Sequence, residues 1–296
     1  MQKIRILSLA EASFVTFLWS TSYILIRIGL EEINPLAFAA YRYIIASIIL
    51  LFPFYYQLKK KGNFEFNRNY ILKYILLGFT GYFIAQGLQF FGLYFLNPVT
   101  VTFILNLTPI FVLALSIFFL NERPTITQLI GISITLFGVY IFFYGIITDI
   151  TTITGVIVTL VSGLGWAFYM VTLRHYLGKN KESVISLTSL SMLVGALMLL
   201  GTTGITGNLV NVSFCNWMII IWLSLVNTAV AFSLWNHALK TLKAVEQAIL
   251  QNSMLIQITI LSFFFLEEPI TVQKIFGMII VFIGVLIVQL WVKKSS

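Results

Sequence analysis

Ten apolar stretches, each long enough to cross a bilayer as a helix, account for most of this 296-residue sequence. They lie near 7–30, 35–57, 72–96, 98–120, 126–147, 153–174, 183–204, 216–239, 243–266 and 272–292. A helix needs ~20 mainly apolar residues to cross ~30 Å of hydrocarbon, because each backbone N–H and C=O must find its partner inside the segment. The gaps between the stretches are too short for a soluble domain. A soluble chain carries charge on about a quarter of its residues, whereas here the share is 9%. The pattern predicts an all-α integral membrane protein with ten transmembrane helices, which excludes most soluble enzymes. The net charge of +8 does not read as a nucleic-acid surface, since no Lys/Arg cluster is interleaved with aromatics. A single cysteine, Cys215, excludes a disulfide framework and a thiolate metal cluster. The first stretch is a full span without a small-residue cleavage site, so it is expected to be a retained helix.

Charge alternates from gap to gap. Lys3, Arg5, Lys59, Lys60, Lys61, Arg68, Lys73, Arg123, Arg174, Lys179, Lys181, Lys240, Lys243, Lys293 and Lys294 fall in one set of gaps. The other set holds Glu31, Glu32, Asp149, Glu267 and Glu268, with only Arg27 and Lys274 as cations nearby. Positively charged loops resist translocation, so the basic gaps and both termini are expected in the cytoplasm, in a multi-pass protein of the plasma membrane. Nine or eleven spans would scramble this segregation.

The chain also repeats. At an offset of 146, residues 96–142 match 242–288, pairing Asn106 with Asn252, Ser116 with Ser262, Glu122 with Glu268, Thr125 with Thr271, Gly131 with Gly277 and Gly138 with Gly284. At an offset of 147, Trp19 and Arg27 meet Trp166 and Arg174. Shared apolar bias does not explain ordered matches of Asn, Ser, Glu, Thr and Gly, so the reading is a duplication into two five-helix halves, 7–147 and 153–292. Five is odd, and the second half is therefore expected to enter the membrane from the opposite side, as in the inverted repeats of secondary transporters.

Particular residues carry a resemblance. Phe17-Leu18-Trp19-Ser20-Thr21-Ser22, Pro35 followed by Arg42, Pro109, the turn Leu120-Asn121-Glu122-Arg123-Pro124-Thr125 and its second copy Leu266-Glu267-Glu268-Pro269-Ile270-Thr271 resemble the EamA-type branch of the drug/metabolite transporter superfamily. The resemblance covers essentially the whole chain and is poor for the substrate. It implies a carrier of small organic solutes, often an exporter of amino acids, other metabolites or drugs. It also implies a central cavity lined by the first, third, fourth, sixth, eighth and ninth spans, with the fifth and tenth peripheral.

Polar side chains at mid-membrane depth normally face the bundle interior or a water-filled cavity. Asn106 and Asn252 each lie nine residues inside the ends of their predicted spans, roughly 14 Å deep at 1.5 Å per residue, close to the midplane from opposite sides. An amide both donates and accepts, so the pair is the leading substrate-binding candidate, with interhelical bonding as the alternative. Gln86 and Gln89 share a helix face, as do Gln247 and Gln251, and Asn227 adds a further amide. Trp19, Tyr23 and Trp166 offer an amphipathic aromatic wall, which Tyr82 extends. Pro109 cannot donate to the Leu105 carbonyl and predicts a kink, whereas Leu255 at the equivalent position predicts that the second half is less kinked. Arg42 reads as a gate or structural group, paired with Glu31 or Glu32, with attraction of an anionic solute as the other option.

Neither histidine has a partner at metal-ligand spacing, and no nucleotide-binding loop occurs, so neither a metal nor another cofactor is expected. The expected partners are a small-molecule solute and the lipid bilayer, with the chain a monomer or a homodimer. The function read from the sequence is secondary transport of small organic metabolites, including amino acids, in the direction of efflux and by alternating access. A lipid or lipid-linked flippase is the alternative. A membrane-embedded enzyme is a weaker one, since no catalytic constellation is present.

Overall fold

A computed structural model of the chain describes residues 2–61, 68–119, 125–144, 149–179, 183–208 and 211–292. All regular structure among the described residues is helical. The α-helices run in the order α1 (Gln2–Gly29), α2 (Pro35–Lys61), α3 (Arg68–Leu77), α4 (Gly87–Phe95), α5 (Pro98–Leu105), α6 (Thr108–Phe119) and α7 (Ile126–Phe143), then α8 (Ile150–Lys179), α9 (Val184–Ile205), α10 (Phe214–Ser224), α11 (Ala231–Ala238), α12 (Ala244–Gln251), α13 (Met254–Phe265) and α14 (Val272–Val292). A π-helical stretch, Gly78–Gln86, joins α3 to α4, and another, Leu225–Val230, joins α10 to α11. Among the described residues, seven segments are long and apolar enough to cross a membrane, and Leu129–Phe143, Met254–Phe265 and Val272–Gly284 are shorter apolar helices. Residues 120–124, with Glu122 and Arg123 of the first repeated turn, lie outside the described residues, as do Lys181, Lys293 and Lys294.

The two halves share local devices. The π-helical stretches begin at Gly78 and Leu225, and 225 − 78 = 147, the offset that also relates Trp19 to Trp166. Arg27 donates to the carbonyls of Leu93 and Tyr94 at the end of α4, at 2.9 and 3.1 Å. Arg174, its counterpart, donates to Leu239 and Lys240 just past α11. Each guanidinium thus satisfies carbonyls that lack an intrahelical partner and meets the negative end of a helix dipole.

Both halves also break one helix at the same repeat position. Between α5 and α6 the Asn106 N–H reaches Thr102 and Phe103 carbonyls at 2.9 and 3.2 Å, and Leu107 N–H reaches Ile104 at 3.0 Å, a tightened turn that precedes Pro109. The second half, expected to be less kinked without a proline, also breaks, between α12 and α13. At this break the Ser253 N–H and hydroxyl both donate to the Leu250 carbonyl, at 3.1 and 2.8 Å, a tightened turn like the one at Asn106.

Repeat-related glycines bring α7 and α14 into backbone contact. A Cβ on Gly138 would stand 2.8 Å from the Val281 nitrogen and 3.0 Å from the Gly277 carbonyl oxygen, and one on Gly284 would stand 2.7 Å from the Gly131 carbonyl oxygen. This packing relies on small residues rather than on hydrophobic burial, since the outer faces of both helices are apolar and exposed, as at Phe137 and Phe276. At the α1–α2 turn, Glu32 accepts from the Ser213 N–H, the Ser213 hydroxyl and the Asn216 amide at 2.8, 2.9 and 2.6 Å. These donors, the Ser213 backbone N–H first, hold its carboxyl below the usual range and tie the turn to the start of α10.

The turn between α13 and α14 places Glu268 almost out of water, with Oε2 unbonded. Burial raises its carboxyl to about 7, against the opposing charges of Lys274 and Arg27. The folded state therefore holds a proton that the unfolded chain has released over this range, so the stability from this group is full at acid pH and is lost as pH rises through 7. Thermal melts of the wild type should fall in midpoint between pH 5 and pH 8, and Glu268→Gln should flatten that slope; an unchanged slope would contradict the assignment. Gly138→Leu should lower the melting temperature through about 1–3 kcal/mol of overpacking, and an unshifted melt would show that α7 and α14 are not in backbone contact.

Candidate functional site

A central cavity is built from α1, α2, the first π-helical stretch, α4, α5, α8, α11, α12 and α13. Its walls include Trp19, Tyr23, Arg42, Gln86, Gln89, Trp166 and Gln251 from the residues singled out in the sequence. Ser22, Ser162, Phe232 and Met254 also line it and were not singled out. The open space is about 20 Å³, room for one or two waters.

The aromatic wall is a connected cluster. Trp19 and Trp166 meet edge to face with centroids 5.8 Å apart, and Phe232 lies 5.2 Å from Trp19 and 5.8 Å from Trp166. Trp166 stacks on Tyr169 at 5.1 Å. Phe232 joins the two halves of this wall, yet no repeat match marked it, and the polar residues near it in sequence, Thr228, Ser233 and Asn236, drew attention away from an apolar ring.

Polar tips of these rings are satisfied by named partners. Trp166 Nε1 donates to Gln251 Oε1 at 2.8 Å, and the Tyr43 hydroxyl donates to Gln86 Oε1 at 2.7 Å. Trp19 Nε1 donates to the Asn227 carbonyl at 3.1 Å. That carbonyl is accessible because of the π-helical register: the Ala231 N–H bonds the Val226 and Thr228 carbonyls, whereas in an α-helix it would take that of Asn227. The freed oxygen also accepts from Arg42 Nη2 at 3.2 Å, while Arg42 Nε donates to the Thr228 hydroxyl at 2.7 Å.

Arg42 is only 3% exposed. Neither glutamate expected as its partner reaches it: Glu32 is engaged with Ser213 and Asn216, and no ion pair joins Arg42 to Glu31. Among the described residues no carboxylate pairs with it, and its neighbours besides Thr228 and Asn227 are the faces of Tyr43 and Phe90, at 5.4 and 5.9 Å. A buried guanidinium on a cavity wall, bonded only to neutral acceptors, keeps its full positive charge unmatched.

Other sequence candidates fall elsewhere. Asn227 turns its side chain away from the cavity, donating to the Leu18 carbonyl and to the Thr21 hydroxyl, the latter at 3.1 Å. Tyr82 extends the aromatic cluster behind the cavity lining, its ring 5.2 Å from Phe232 and 5.5 Å from Tyr169, with its hydroxyl 3.0 Å from that of Tyr169, which accepts in turn from Asn236 at 2.8 Å. Pro109 is inside α6, just past the helix break. Asn106 and Asn252 border a separate cavity beside α13 and α14, while their neighbours Leu105 and Gln251 face the central one. Glu11 and Glu246 pair with His237 and Arg5 respectively, and no group of three or more His, Cys, Asp or Glu among the described residues could hold a metal.

Residues 9–144 and 153–290 each match the model of the EamA-like transporter family. Among curated relatives, the uncharacterized transporters YyaM and YoaV of Bacillus subtilis are 26% and 25% identical, over 86% and 92% of this chain and 84% and 92% of their own lengths. An S-adenosylmethionine/S-adenosylhomocysteine transporter of Chlamydia muridarum is 26% identical over 64% of this chain and 61% of its own length. A solved crystal structure superposes with a TM-score of 0.74 at 16% identity, covering 97% of this chain and 98% of that one, a likeness of fold.

Gln251→Leu removes the acceptor of the Trp166 indole in an apolar setting and should cost about 1–3 kcal/mol of stability. Gln251→Glu, which keeps an oxygen there, should recover part of it. Thermal unfolding followed by tryptophan fluorescence measures both, and equal melts for the two variants would mean that this bond is not formed.

Proposed function

Because the chain belongs to the EamA-like transporter family, we propose that it is a secondary carrier which moves a small organic solute through the central cavity by alternating access. The proposed architecture is ten spans in two inverted five-helix repeats, 7–147 and 153–292, with both termini cytoplasmic in the plasma membrane and net movement outward. The paired π-helical stretches, paired helix breaks and paired arginine caps support two equivalent halves. Two similar halves of opposite orientation can exchange conformations and so present one site to either side of the membrane.

The observation that carries the substrate class is Arg42. A buried cation without a carboxylate partner is costly in an apolar bundle and is stabilised when a ligand supplies the anion. Beside it stand the flat faces of Trp19 and Trp166, and the amides of Gln86, Gln89 and Gln251 give neutral donors and acceptors. The solute that fits is a small metabolite with a carboxylate and a flat or apolar portion, a class that contains aromatic amino acids. The S-adenosylhomocysteine named for the Chlamydia relative belongs to the same class, having a carboxylate and an adenine ring. In this reading Tyr23 shapes the aromatic wall, Tyr82 supports it from behind, and Asn227 holds the Arg42 side chain in place. Asn106, Asn252 and Pro109 mark the helix breaks about which the halves rearrange.

Purified protein tests this directly. Arg42→Gln should weaken binding of tryptophan or S-adenosylhomocysteine about 10- to 100-fold, the worth of one charge-assisted hydrogen bond of ~1.5–3 kcal/mol. Binding of tryptamine, which lacks the carboxylate, should change little. Calorimetry and counterflow in proteoliposomes read the two effects; equal losses for both ligands, or none for either, would refute Arg42 as the anion subsite.

A further inference from the structure

A second cavity, of about 230 Å³, lies beside α13 and α14. It is larger than the ~150 Å³ engineered cavity that stays dry and binds benzene. Its walls are nearly all hydrocarbon. Ile256, Ile260, Ile279 and Phe282 line it and are 48%, 51%, 49% and 41% exposed, so the space opens sideways onto the apolar outer faces of the two helices. In a membrane those faces meet lipid.

Its polar floor is a pair of carboxamides whose donors are unpartnered. Asn106 and Asn252, related by the repeat, are 3% and 6% exposed, and the amide nitrogen of each has no hydrogen-bond partner. The Thr259 hydroxyl is already committed, donating to the Leu255 carbonyl at 2.7 Å and lying 3.3 Å from the Met278 sulfur. Two buried N–H₂ groups without acceptors are costly, and only an acceptor relieves them.

We propose that this cavity binds an uncharged, lipid-soluble molecule of one or two rings that carries a hydrogen-bond acceptor, such as a ketone, ester or ether, and that enters from the bilayer. Hydrocarbon walls without a counter-charge exclude ions. In the proposed ten-span arrangement, α5 and α12, each eight residues long, ~12 Å of rise, set the two asparagines near the centre of a ~30 Å hydrocarbon core, away from the level of the phospholipid esters. The ligand chemistry differs from that of the central cavity, where Arg42 calls for an anion, and the test does not depend on transport.

Full-length protein in phosphatidylcholine nanodiscs is irradiated with benzophenone, and adducts are mapped by peptide mass spectrometry. Adducts should concentrate on residues 255–260 and 275–282. Cyclohexyl methyl ketone should compete about tenfold better than ethylcyclohexane, which matches its shape but lacks the acceptor. The double variant Asn106→Leu/Asn252→Leu should lower labelling there about tenfold. Thr259→Phe keeps both amides but obstructs the space, and it should abolish labelling even if the double variant fails to fold. Adducts spread evenly over the lipid-facing helices, equal competition by ketone and hydrocarbon, or full labelling of folded Thr259→Phe would each overturn the proposal.

Discussion

Hydrocarbon offers no water to a stranded peptide group, so every departure from α-helical hydrogen bonding inside this bundle must be answered by another part of the chain. The Asn227 carbonyl shows how one departure is used. A π-helical register releases it from the ladder, and Trp19 and Arg42, from two other helices, converge on it. One irregular turn thereby fixes both an aromatic wall and a buried cation. Ser253 gives a second case, its N–H and hydroxyl both donating to the Leu250 carbonyl at the break. The irregular backbone clusters where the cavities are, and the regular helices α7 and α14 carry none of the central lining.

Each irregularity has a counterpart in the other copy, but the chemistry of the two copies has diverged. The π-helical stretches start 147 residues apart, yet the first contributes Gln86 to the cavity, while the second contributes the backbone and the Thr228 hydroxyl that seat Arg42. No arginine stands in α9 opposite Arg42. The architecture is thus paired while the lining of the central cavity is one-sided, with Arg42 on one half only.

Much of this was legible in the sequence, for identifiable reasons. Apolar length reveals helices because the bilayer imposes it, and the repeat stood out because Asn, Glu and Gly matches are rare in so apolar a chain. Trp19, Tyr23, Gln86, Gln89, Trp166 and Gln251 could be selected as deep groups with polar tips, and they do converge. Depth, however, is only one coordinate. Asn106 and Asn252, selected by the same counting along their spans, lie at the two helix breaks and border the second cavity, while the adjacent Leu105 and Gln251 face the central one. The π-helical register left no signal: Gly78–Gln86 and Leu225–Val230 hold Gln86 and Asn227, which the sequence did single out, but nothing in either composition distinguishes this ladder from an α-helical one. Phe232 escaped for the same reason: one phenylalanine among 27 has nothing local to distinguish it.

The tightness of the central chamber has a thermodynamic corollary. With about 20 Å³ free, the proposed passage of a solute through this chamber requires an expanded arrangement in addition to the one described. The dissociation constant observed in solution then equals the intrinsic one divided by the fraction of molecules already expanded. A modest measured affinity would therefore be compatible with close complementarity, and a substitution that loosens the aromatic packing could tighten binding without touching the ligand.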